Sequence, residues 1–125
     1  MNILHSIHRA EQAAALLFAE NSAAKMTVRQ AVVLKAVLDN SGGSQTDLVN
    51  ATGVDRSTLA DIVRRLHRRG WLQRKRTKED ARAYAVQLTP EGHKALQTAR
   101  QAATKTEKQL ADKFPGLKAM AANGH

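Results

Sequence analysis

The stretch from Ser44 to Glu91 limits this chain more than any other. It sets out a short helix, a glycine turn, a second helix, two basic strand candidates and the start of a further helix. Eight of the 15 residues from Arg64 to Lys78 are Arg or Lys, and none is acidic. A block of that kind beside a short polar helix and a hairpin suits a chain that grips a phosphate backbone and reads bases. It points to regulation rather than catalysis.

Composition sets the outer bounds. With 125 residues the chain makes one domain with a modest core. Aromatic residues are only 3%, so Leu, Val, Ile and Ala must fill that core. A net charge of +9 favours a polyanionic partner, either nucleic acid or an anionic membrane surface. No apolar run reaches the roughly 18 residues of a membrane span. Residues 1–19 are interrupted by His5, His8, Arg9, Glu11 and Gln12, which excludes a signal-peptide core. Absent cysteines exclude disulfides, thiolate catalysis and Cys-based zinc sites. A cytoplasmic protein without a membrane partner is expected.

The apolar spacing predicts a mainly α (α+β) chain. A first helix over 2–21 carries a stripe at Ile3, Ile7, Ala10, Ala14 and Leu17. Thr27 opens a second, with Gln30 placed for a capping box, and the residues 39–43 end it. Ser44 with Asp47 caps the third, Gly53 turns the chain, and Asp55 caps the fourth. Leu59, Ile62, Val63 and Leu66 must face the core, and Gly70 stops that helix. Strands are expected over 72–76 and 83–88, where Tyr84, Val86 and Leu88 alternate with Ala83, Ala85 and Gln87. Residues 77–82 form a polar tip. Thr89-Pro90-Glu91 starts a long helix, predicted to reach Phe114, with a stripe at Leu96, Ala99, Ala103, Thr106 and Leu110. Pro115-Gly116 breaks the chain before a stub over 117–122.

The fourth helix is the candidate reader. Opposite its core stripe, at 100° per residue, lie Ser57, Ala60, Asp61, Arg64 and Arg68, flanked by Arg56 and Thr58, with Arg65 added from the same helix. Arg can donate twice to guanine, Ser and Thr bond bases or phosphates, and Ala60 permits close approach. Asp61 can accept from a cytosine amine or pair with a neighbouring Arg. An ordinary solvated face is the plain alternative, and the adjoining turn helix and basic strands weigh against it. Arg74, Lys75 and Arg76 read as phosphate contacts, and Lys78 and Arg82 as a tip for a narrow minor groove. Gln45 and Thr46 lie where helix N–H groups gather and could meet phosphate.

Thr52-Gly-Val-Asp-Arg-Ser-Thr-Leu, Val63-Arg-Arg-Leu-His-Arg-Arg-Gly-Trp-Leu and Leu88-Thr-Pro-Glu-Gly resemble the MarR family of winged helix-turn-helix transcription regulators. The most specific element is Glu79-Asp80-Ala81-Arg82. The resemblance covers 27–96 well and the flanks more loosely. It implies that Asp80 braces the wing while Arg82 enters or lines the minor groove. It also implies one domain over 1–125: a DNA-binding lobe at 27–88, with its wing at about 72–88, between dimerisation helices at 1–26 and 89–125. A homodimer on pseudo-palindromic double-stranded DNA follows, joined through Ile3, Ile7, Ala14, Leu17, Leu96, Ala99, Ala103 and Leu110. Each stripe would serve equally as intrachain core. The short, broken last helix departs from the family pattern and puts the dimer arrangement in question. A repressor released by a small-molecule effector is implied, with no residue assigned to that effector.

Other features carry less. His5 and His8 are three apart, yet no Cys or acidic cluster joins them, so no metal or cofactor is expected. His67 and His93 read as surface residues. Trp71 reads as packing under the wing, with a ligand-cavity wall as the alternative. No nucleophile–base pair or phosphate loop supports an enzyme. The competing reading is a sequence-tolerant architectural, phage or plasmid nucleic-acid-binding protein without an effector.

Overall fold

A computed structural model describes residues 1–76 and 84–123. Helices α1 (Asn2–Asn21), α2 (Val28–Asp39), α3 (Gln45–Thr52) and α4 (Arg56–Arg68) come first. Strands β1 (Leu72–Arg76) and β2 (Tyr84–Leu88) follow, then α5 (Pro90–Lys113) and α6 (Gly116–Asn123). The fold is mainly α, a winged helix-turn-helix with one antiparallel strand pair among the described residues. Two compact units divide the chain: Met1–Val28 with Thr98–His125, and Arg29–Gln97.

Local chemistry fixes the helix ends in the second unit. Ser44 Oγ accepts from the Asp47 N–H at 3.2 Å, and Asp47 Oδ2 accepts from the Ser44 N–H at 2.9 Å. This reciprocal box satisfies two donors that the first turn of α3 leaves without helical partners. Gly53 ends α3 at φ 72°, its N–H donating to Val49 O at 2.9 Å. That left-handed backbone suits glycine because a Cβ would crowd the carbonyl. Gly70 does the same after α4, at φ 80°.

The expected apolar stripe of α4 packs inward. Leu59, Val63 and Leu66 are fully buried and Ile62 nearly so. Val33 and Leu34 of α2, Leu48 of α3, Leu72 of β1 and Val86 of β2 are also buried in this unit. Leu72 pairs with Leu88 and Arg76 with Tyr84 across the strands. The Val86 N–H donates to Gly43 O at 3.0 Å, which ties β2 to the turn before α3.

The simple alternation expected for β2 does not hold. Val86 is buried but Tyr84, on the same face, is 41% exposed, and Ala85 on the other face is buried. Tyr84 lies opposite Arg76 in the last pair, two residues along the strand from Val86 and away from the core that covers it. The first turns of α5 group with this unit. Thr89 and Gly92 explain why. The Thr89 N–H donates to Trp71 O at 3.1 Å, and a Cβ on Gly92 would overlap that same carbonyl oxygen.

In the first unit, Asn21 Nδ2 donates to Thr106 Oγ1 and to Gln109 Oε1, both at 2.9 Å. Thr106 Oγ1 in turn donates to Ala102 O at 2.8 Å, so the buried hydroxyl is fully used. Among the described residues of α1, Phe18 alone is buried. Ile3 is 76% exposed and Ile7 59%, while Ala14 and Leu17 are half-buried. On α5, Ala103 and Leu110 are half-buried, but Leu96 and Ala99 are buried within the single chain. No helix among the described residues is long and apolar enough to cross a membrane.

Candidate nucleic-acid interface

A buried stripe holds α4 by one side and leaves the other side to solvent. Arg56, Ser57, Arg64, Arg65 and Arg68 are exposed, and Thr58, Ala60 and Asp61 are half-buried. The front of this face is organised by Asp55. Its Oδ2 accepts from the Thr58 N–H at 3.1 Å and from Ser57 Oγ at 2.9 Å. Hydrogen bonds from the Thr58 side chain, the Thr58 backbone and Ser57 hold the Asp55 carboxyl at about 2, below its ordinary 3.8. The cap therefore stays a carboxylate and complements the positive end of the helix.

Arg56 and Thr46 meet here. Arg56 Nη1 donates to Thr46 Oγ1 at 3.2 Å, joining the front of α4 to the first turn of α3. Thr46 is exposed and Gln45 half-buried. Asp61 pairs with two neighbouring arginines of the same helix. Its Oδ2 lies 3.0 Å from Arg65 Nε and its Oδ1 lies 3.5 Å from Arg64 Nη2. Pairs this exposed contribute little to stability. Their effect is to aim two guanidiniums.

Farther along, Arg64, His67 and Arg68 of α4 line a cleft of about 290 Å³ with Arg74 of β1. His67 is exposed, as its sequence suggests, but its place in this cleft was not evident from composition alone. The available signal was its spacing, three residues after Arg64 on one helix face. Arg74, Lys75 and Arg76 are all exposed on β1. The Arg76 guanidinium lies 5.8 Å from the Tyr84 ring centroid, and that of Arg69 lies 3.7 Å from the Trp71 ring centroid. Trp71 itself is half-buried. Lys78, Asp80 and Arg82 lie outside the described residues. Among the described residues, no group of three or more His, Cys, Asp or Glu side chains could hold a metal ion.

Residues 24–83 match the model of the MarR family. That segment is a MarR-family domain. The matched segment takes in α2, α3, α4 and β1, so the Thr89 contacts and α5 lie beyond it. One similar relative is the putative transcriptional regulatory protein for the hcr operon of Thauera aromatica. It is 32% identical over 78 residues, 62% of this chain and 47% of that protein. The chain spans about half the length of the curated relatives it matches. Likeness in three dimensions extends farther. A probable transcriptional regulator from Pseudomonas aeruginosa has a TM-score of 0.88 at 26% identity, covering 98% of this chain and 96% of that one. Bordetella bronchiseptica BpsR, whose DNA binding is regulated by 6-hydroxynicotinic acid, has a TM-score of 0.82 at 25% identity, and the match covers 100% of both chains.

Proposed function

We propose that this chain is a sequence-specific, double-stranded DNA-binding transcription regulator, acting as a dimeric repressor. The observation that carries this reading is the division of α4. One face is locked into the core through Leu59, Ile62, Val63 and Leu66, and the other offers Arg56, Ser57, Arg64, Arg65 and Arg68 to solvent. A rigid helix with a free basic and hydroxyl face suits the major groove, and its front end is the part that reaches base edges. Arg56, Ser57, Thr58 and Ala60 occupy that end. Arg74, Lys75 and Arg76 supply backbone contacts, and the 77–82 segment, with Lys78, Asp80 and Arg82, serves the minor groove. Gln45 and Thr46 contribute at the phosphate backbone beside Arg56.

The exposed apolar side chains of α1 support a second copy of the chain as partner. Ile3, Leu4 and Ile7 are all exposed on a helix that buries Phe18 alone among its described residues. In the dimer, two α4 helices address half-sites about one DNA turn apart on a pseudo-palindrome. Ala14, Leu17, Ala103 and Leu110, each half-buried, extend the same interface. The regulation of BpsR by 6-hydroxynicotinic acid supports a small-molecule effector here too. Such an effector would act by favouring a helix spacing that does not fit the operator.

Selection of binding sites from a random duplex library, followed by footprinting at two salt concentrations, tests this. An inverted repeat with half-sites about one turn apart is the expected result. An absence of any enriched motif, with binding that tracks duplex length, would replace it with the architectural reading.

A further inference from the structure

Arg64, His67, Arg68 and Arg74 surround a cleft of about 290 Å³ between α4 and β1. His67 and Arg68 stand three and four residues after Arg64, so one helix face brings the three together. Arg74 comes from the strand. All four side chains are exposed. Arg64 is partly offset by Asp61 at 3.5 Å. Among the described residues, Arg68 and Arg74 have no carboxylate partner. The walls are mostly side-chain carbon, as expected where arginine stems lie along a surface and their heads reach outward. An anion at the rim would meet guanidinium groups with hydrocarbon behind them. Arg68 and His67 also stand in the last turn of α4, whose dipole is negative there and favours cations.

The place of the cleft says which anion. This step rests on the functional reading above, with α4 in the major groove and the hairpin tip at the minor groove. Those two grooves are separated by one sugar–phosphate strand. That strand must pass between α4 and the hairpin, where the cleft lies. We propose that the cleft seats a backbone phosphate of this strand, gripped by Arg68 and Arg74 with Arg64 and His67 beside them. Arg64 and Arg68 then serve the backbone, and sequence choice falls to Arg56, Ser57, Thr58 and Ala60 at the front of α4. A free phosphate compound shares the chemistry and is the source to be distinguished.

Single methylphosphonates, each removing one phosphate charge, are placed along the selected duplex. Binding is measured for the full chain and for the Arg68→Ala/Arg74→Ala variant, whose fold is verified by circular dichroism. At one position per half-site, the methylphosphonate should weaken the unsubstituted protein roughly tenfold but the variant less than about twofold. The variant should bind every duplex more weakly and keep the same sequence preference. Methylphosphonate effects that simply add to those of the variant, or a changed preference, overturn the assignment. Inorganic pyrophosphate separates the two sources. Its binding to the DNA-free protein, lost in the variant and without methylphosphonate coupling, would make this a free-anion site and overturn the backbone assignment. A protein that binds no duplex at all fails the functional reading itself, a result distinct from uncoupled effects on a duplex that binds.

Discussion

Thr89 Oγ1 donates to the carbonyl oxygen of Gly70 at 2.5 Å, joining positions 19 apart in sequence. The same oxygen accepts from the Gly92 N–H at 2.9 Å and so caps α5. One hydroxyl thus closes the end of α4 onto the start of α5, across both strands. Thr89→Val should destabilise the fold by about 1–2 kcal/mol, and Thr89→Ser should retain most of the stability. Urea unfolding of the three proteins measures this. Equal stability for valine and threonine would remove the hydroxyl from the account.

Gly92 is held by a different constraint, the lack of room for a side chain against the Trp71 carbonyl. Gly92→Ala would normally favour a helix, but here the backbone must move to admit the methyl group. The expected result is a net loss of about 1–3 kcal/mol, read by the same unfolding curves. A more stable alanine variant would contradict this packing.

Acid should act on α4 through Asp55. Its folded carboxyl titrates at about 2 against an ordinary 3.8, a lowered value. The sign follows from linkage: its contribution is fully present above the ordinary value and is lost as pH falls through the folded one. The stability gap between the unsubstituted protein and Asp55→Asn should therefore be widest near neutral pH and narrow as pH falls from about 4 to about 2. Carboxyl NMR gives the direct test, and an Asp55 inflection at its ordinary value would refute the capping argument.

Asp61 is the acidic group on an otherwise basic face, and it holds Arg64 and Arg65. Asp61→Asn should leave thermal stability within about 0.5 kcal/mol. It should tighten binding to any duplex at low salt, because a negative charge facing phosphates is gone. Titrations on the selected operator and on an unrelated duplex decide it; weaker binding to both would show that Asp61 is needed to aim the two arginines.

Reading and gripping should separate by position. Arg56→Ala should cost about 1–3 kcal/mol on the preferred operator and relax the choice at one base pair per half-site. Lys75→Ala should weaken all duplexes alike and flatten the salt slope by about one unit. Identical behaviour of the two variants would show that the front of α4 is not the reader.

The sequence was most informative where one residue type has one local use. Asp55 and the Ser44–Asp47 pair cap as their spacing suggests, and Leu59, Ile62, Val63 and Leu66 all face inward. These depend on neighbours within about a helical turn, which a linear reading captures. Contacts between distant segments were not legible. Nothing local says that Gly92 must clear the Trp71 carbonyl, although a glycine in the first turn of a helix is itself a mild warning. Tyr84 and Ala85 departed from alternation because burial depends on where the core ends, not on strand period. The Arg64–Arg68 face was visible as charge, and only the position of Arg74 beside it turned that charge into a cleft.

On the dimer proposed above, α1 has one more consequence. A helix that commits Phe18 alone to its own chain, and leaves Ile3, Leu4 and Ile7 for a partner to cover, has a stability set partly by mass action. Dilution then becomes a destabilising variable: the melting temperature should fall with protein concentration, and the scarcest copies in a cell would be the ones whose amino-terminal helix frays first.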